Sequence, residues 1–108
     1  MATTKFNVVE EFCAEIENDA PEIDRGIVRI TDMSRGSTVS PNIRHIFAMA
    51  TYSVAGQVVR LECYCGDVWG INQETDKKVY EKAEKIRQTV AMTCENLGLQ
   101  RRAGILEE

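Results

Sequence analysis

Between Gln57 and Cys65 two kinds of residue alternate: Val59, Leu61, Cys63 and Cys65 on one parity, Val58, Arg60, Glu62 and Tyr64 on the other. A period of two sends the sets to opposite faces of a sheet, so the segment is a strand with one buried and one wetted side. Residues 44–54 read as its antiparallel partner, joined through Ala55-Gly56-Gln57. A hairpin of that length is enough to anchor a domain.

The remaining segments must cover this hairpin. A helix is expected from Asn7, with Asn7 and Glu10 as a variant capping box, an apolar stripe of Val9, Phe12, Cys13, Ile16 and Ala20, and Pro21 as its stop. Residues 26–33 form a short β-branched strand that puts Val28 and Ile30 on one face and Ile27, Arg29 and Thr31 on the other. Residues 34–42, punctuated by Gly36 and Pro41, read as a polar loop. After Gly66 to Gly70 interrupts the alternation, a long helix runs from Asn72 or Thr75 to Leu97 on the stripe Val79, Ala83, Ile86, Val90, Cys94 and Leu97. Gly98 and Leu99 are placed to close it in a Schellman motif. Arg101 to Leu106 is either a last strand at a sheet edge or a tail that docks on another subunit.

The fold class expected is therefore α+β, a single small domain over residues 1–108 in the order α-β-β-β-α-β, with two helices packed on one face of an antiparallel sheet. Its 44% hydrophobic and 28% charged residues suit a soluble globular chain. No apolar run approaches the roughly 20 residues that cross a bilayer, so no membrane partner and a cytoplasmic location are expected, with Cys13, Cys63, Cys65 and Cys94 as thiols.

The net charge of −4 is unevenly spread. Residues 1–24 carry −6 and residues 25–108 carry +2, so the acidity belongs to the first helix and its exit. Such a surface disfavours non-specific contact with nucleic acid and favours a protein partner with a basic patch.

Chemistry-bearing residues are few. Cys63 and Cys65 share a strand face, and the stripes of Cys13 and Cys94 are expected to cover it. Four thiolates there could hold zinc, but zinc ligands come from C-x₂₋₄-C turns rather than a regular strand. Packing as small hydrophobes is the first reading, and neither a metal nor a cofactor is called for. His45 would support nucleophilic catalysis only beside Cys65 or Ser53, and no spacing puts it there. No catalytic motif occurs, so the chain reads as non-enzymatic.

Arg29, Arg60, Glu62 and Tyr64 share the sheet face away from the helices. Such a face is either merely solvated or a partner surface, since arginine and tyrosine are enriched at interfaces. Trp69, between glycines at a strand exit, is either a lid on the core or an exposed anchor.

The run Pro41-Asn42-Ile43-Arg44-His45-Ile46-Phe47, the strand pair, and Lys77, Lys78, Lys82 and Ala83 opening a helix resemble a double-stranded RNA-binding domain over little more than half the chain. That resemblance implies an α-β-β-β-α order and phosphate contacts from the helix lysines. The first helix, however, is acidic where that family contacts RNA, and Lys77, Lys78, Lys82 and Lys85 interleave with Glu81 and Glu84 as on a solvated helix face. The leading expectation is a small regulatory or inhibitory protein-binding module that uses Glu11, Glu15 and Glu17 on the helix and Arg60, Glu62, Tyr64 and Trp69 on the sheet. Nucleic-acid binding and a thiol or zinc site are the alternatives. A sheet edge in need of cover suggests a homodimer through the terminal segment or the open face.

Overall fold

The hairpin sits at the centre of one five-stranded sheet. The computed structural model describes residues 3–36 and 42–103. The elements run β1 (Thr3–Phe6), α1 (Val9–Asp19), 3₁₀ turns at Ala20–Glu22 and Asp24–Gly26, β2 (Ile27–Gly36), β3 (Ile43–Val54), β4 (Gln57–Trp69), α2 (Gln73–Asn96) and β5 (Gln100–Ala103). The sheet order is β1-β4-β3-β2-β5.

The α+β class holds, while the wholly antiparallel sheet does not. Strands β2, β3 and β4 are antiparallel, but β1 lies parallel to β4 and β5 parallel to β2. Tight turns can join only antiparallel neighbours; β1 and β5 reach their partners through long connections, which allow the parallel sense. The element order accordingly gains a first strand and becomes β-α-β-β-β-α-β.

That first strand moves the first helix. β1 holds its register with β4 as far as Phe6, which pairs with Cys63. The helix therefore opens at Val9 behind an extended Val8, with no side-chain cap in place of the expected Asn7 box. Phe6 instead meets Phe12 edge-on at 6.2 Å between ring centroids. The second helix takes the earlier of its two expected starts, with Asn72 as N-cap: Asn72 Oδ1 accepts from Thr75 N–H (2.9 Å), and Thr75 Oγ1 accepts from Asn72 N–H (3.0 Å). It ends with Gly98 at φ +70°, Leu99 N–H donating to Cys94 O (2.9 Å) and Gly98 N–H to Glu95 O (3.1 Å), which is the Schellman pattern.

Period two sorts the strands. Val28 and Ile30, Ala48 and Ala50, and Leu61 and Cys63 are buried, with Ile30, Ala50 and Leu61 matched across three strands. They form one cluster with Phe12, Cys13 and Ile16 of α1 and Val79, Ile86, Val90 and Cys94 of α2. Alanines on the central strand leave room for those larger side chains.

Three boundaries differ from expectation. β2 continues through Gly36, so the polar loop starts later; residues 37–41 lie outside the described residues, as do residues 104–108 of the terminal segment. The strand Gln100–Ala103, which starts one residue before that segment, pairs with β2 of its own chain. β4 continues past Cys65 to Trp69 by way of a bulge between the His45 and Phe47 pairs.

Candidate binding face

The polar parity of the strands assembles a second surface, row by row. Arg29 is opposite Thr51, Thr51 opposite Arg60, Arg60 beside Thr3 on β1, and Arg29 beside Arg102 on β5. The next row holds Thr31, Met49, Glu62 and Lys5, and the one after it Phe47 and Tyr64. Arg29, Arg60, Glu62 and Tyr64 thus share a face, as the alternation requires. Phe47 and Thr51 point to that side and are nevertheless buried.

The bulge decides what stands at the far end. One extra residue on β4, at Cys65 and Gly66, reverses the parity beyond it. Val68 turns into the core and Asp67 falls opposite His45, with Trp69 opposite Ile43. Gly66, at φ +114°, absorbs the irregularity. The sequence gives only that glycine as a signal, so the His45–Asp67 pairing was not visible in it.

His45, Tyr64 and Asp67 now form a cluster. His45 Nδ1–H donates to Asp67 Oδ1 (2.5 Å), and the Tyr64 hydroxyl donates to the same oxygen. The 3.4 Å approach of Tyr64 OH to Nδ1 is then a contact between two donors. The two rings lie 5.9 Å apart, tilted by 53°. The hydrogen bond from Tyr64, then that from His45, holds the Asp67 carboxyl below the usual range, and the same bond to Asp67 pushes the Tyr64 hydroxyl up to about 12. A tyrosine held protonated at neutral pH is a hydrogen-bond donor rather than a nucleophile. With Phe47 and Glu62, His45 and Tyr64 line a shallow cavity of about 260 Å³.

Trp69 and Ile71 flank the exit from β4 and are 65% and 71% exposed, with Tyr64 at 38%. Their backbone is nonetheless tied down. Gly70 N–H donates to Asn42 O (2.6 Å), and Gly70 packs so tightly that a Cβ there would lie 2.6 Å from Thr75 Cγ2. The capping box follows at once, and Arg44 reaches over it to Thr75 Oγ1 (3.5 Å) and to Asp76. Of the two readings open for Trp69, the exposed one is what the fold adopts.

The remaining candidates lie elsewhere. Glu11 and Glu17 are exposed and Glu15 half-buried on α1, whose apolar side joins the cluster of Leu61 and Cys63, so they do not converge with Arg60, Glu62, Tyr64 and Trp69. Lys77, Lys78, Lys82 and Lys85 are exposed along α2. Cys63 and Cys65 do share a face, with their sulfurs 3.5 Å apart, and Cys13 and Cys94 are buried in the same core. The contact with Cys65, together with burial, pushes the Cys63 thiol up, and burial does the same at Cys13 and Cys94. Among the described residues no three His, Cys, Asp or Glu side chains are grouped to hold a metal ion, and no helix is long and apolar enough to cross a membrane. No protein-family model, curated protein or solved structure matches this chain.

Proposed function

We propose that the chain is a non-enzymatic protein-binding module whose contact surface is the aromatic end of the open sheet face. In this reading both helices lie against one side of the sheet and leave the other to a partner. The observation that carries it is Trp69: a large apolar side chain, 65% exposed, on a segment pinned by Gly70, the Asn72–Thr75 box and Arg44. Exposed tryptophan on a rigid frame suits an interface anchor, because little conformational entropy is left to lose on binding. Tyr64 and Ile71 extend the apolar area, Arg60 and Glu62 give it a charged border, and the His45–Asp67 pair supplies polar contacts.

The acidic helix has a different task in this scheme. Glu11, Glu15 and Glu17 raise the encounter rate with a partner bearing a basic patch without touching the anchor. Four free thiols support a cytoplasmic setting. Since β5 is spent on its own sheet, a homodimer would form through the open face, with Trp69 of both copies buried across a two-fold axis.

The test is affinity capture with the parent chain, identification of the captured protein, and titration of that purified protein against variants. Trp69→Ala should weaken binding by about thirtyfold, the scale of an interface hot spot. Reversal of Glu11, Glu15 and Glu17 to lysine should slow association and leave dissociation unchanged. Parent-like affinity of Trp69→Ala, with no self-association in sedimentation, would refute the reading.

A further inference from the structure

A thiol sealed in a core packs as a small hydrophobe and is inert. Cys63 and Cys65 differ from that case as a pair. Their sulfurs lie 3.5 Å apart; Cys63 is fully buried, while Cys65 is half-buried where β4 leaves its regular register. A small solute can meet Cys65, and Cys63 needs to reach only its neighbour.

We infer that Cys63 and Cys65 are a reversible redox pair, in which a hydroperoxide oxidises Cys65 and Cys63 then closes a disulfide on it. In the first step the Cys65 thiolate attacks a peroxide oxygen and the O–O bond breaks. Cys65 becomes a sulfenic acid, and the departing alkoxide or hydroxide takes up the proton that the thiol released. In the second step the Cys63 sulfur attacks the Cys65 sulfur, the S–O bond breaks, and the Cys63 proton leaves with the hydroxyl as water. Two thiols are oxidised to one disulfide, and one hydroperoxide is reduced to an alcohol and water.

The surroundings divide the roles. A Cys65 thiolate accepts from the Cys63 S–H and from the Ala48 N–H, and these bonds hold the Cys65 thiol below its usual range against the effect of burial. The same contact pushes Cys63 up, so the partner that can be reached is the one that ionises first. Once Cys65 is a neutral sulfenic acid, that contact no longer opposes loss of the Cys63 proton. Cys13 and Cys94 lie in the same core, but burial pushes both thiols up, and they serve as internal controls.

The geometry makes the bridge reachable and easily undone. An S–S bond is about 2.05 Å, so the sulfurs must approach by about 1.5 Å. Residues i and i+2 of a straight strand are about 6.6 Å apart at Cα, the upper end of the span of about 4.4–6.8 Å that a disulfide crosses. β4 has slack here, because the bulge follows Tyr64 with Gly66 at φ +114°. Contraction over residues 63–65 therefore draws on the bulge, and through it on the placement of Trp69. A bridge under such tension is readily reduced, which suits a reversible modification rather than a structural staple.

The test is hydrogen peroxide added to the reduced full chain, then alkylation, trypsin digestion and mass spectrometry. Trypsin leaves Cys63 and Cys65 together on residues 61–77, Cys13 on 6–25 and Cys94 on 88–101. Of its four free thiols the parent should lose the pair on 61–77, a peptide then lighter by two hydrogens, and dithiothreitol should restore both. Indole emission from Trp69, the single tryptophan, should change with the same time course. Cys65→Ser should slow the loss of thiols by about tenfold or more. Cys63→Ala should leave a sulfenic acid on Cys65 that dimedone labels; should that variant fail to fold, the peptide map of the parent decides alone. Four alkylatable thiols after a dose that oxidises free cysteine, a bridge from 61–77 to 6–25 or 88–101, sulfinic acid on Cys65 with Cys63 still alkylatable, or bridging with no change in indole emission would each overturn the inference.

Discussion

Leu61 and Arg60 are adjacent in the chain, yet they inhabit different media. On Leu61's side, Ile30, Ala50 and Cys63 are buried in one cluster with apolar residues of α1 and α2. On Arg60's side the strands carry guanidinium, hydroxyl, carboxylate and aromatic groups in turn, although Thr51 and Phe47 on that side are buried. The first side explains why the chain folds, and the second is where a partner could act.

Substitutions can test how sharp that division is. Leu61→Ala should cost about 2–5 kcal/mol, the range for emptying a packed core position, whereas Glu62→Ala should stay within about 0.5 kcal/mol. Urea midpoints measure both; comparable losses would mean that the polar side is covered in the free protein.

Gly70→Ala comes next, at about 1–3 kcal/mol, because φ +110° and the 2.6 Å approach to Thr75 Cγ2 penalise a side chain twice. It should also release Trp69, seen as a shift in indole fluorescence below the unfolding transition. Gly98→Ala is the control with one penalty only: φ is +70° but no atom lies within 4 Å of the added carbon. It should cost about 1–2 kcal/mol and leave the indole signal unchanged.

The smallest effect belongs to the open side. Tyr64 titrates at a value raised to about 12, so the stability linked to it is fully present below the ordinary tyrosine value near 10 and lost as pH rises through about 12. In Asp67→Ala the Tyr64 ring-carbon resonance should titrate close to about 10. An unchanged midpoint would show that the Tyr64–Asp67 bond is absent in solution. Asp67 has the opposite sign: its lowered value adds stability above the ordinary carboxylate range, which fades as pH falls through it.

Much of this was legible in local sequence, since period two and helix capping act over a few residues. The parity of β3 and β4, the shared face of Arg29, Arg60, Glu62 and Tyr64, the Asn72 start of α2 and its Gly98 close all follow from neighbours in the chain. What escaped depends on distant partners. β1 has one large apolar residue, Phe6, and is a strand because β4 offers a backbone edge more than fifty residues later. The side of Trp69 and the meeting of His45 with Asp67 hang on one extra residue at a bulge, and an alternating pattern carries no count of such insertions.

Pairing both outer strands with segments distant in the sequence has a consequence for synthesis. β1 is made before α1 and must wait for residues 60–63, and β2 has its outer edge bare until residues 100–103 emerge, about seventy positions later. For that interval the nascent hairpin exposes unpaired backbone along β2, the kind of edge that recruits other chains. Translation arrested within α2 would thus leave the β2 edge unsealed and yield sticky fragments rather than smaller soluble ones.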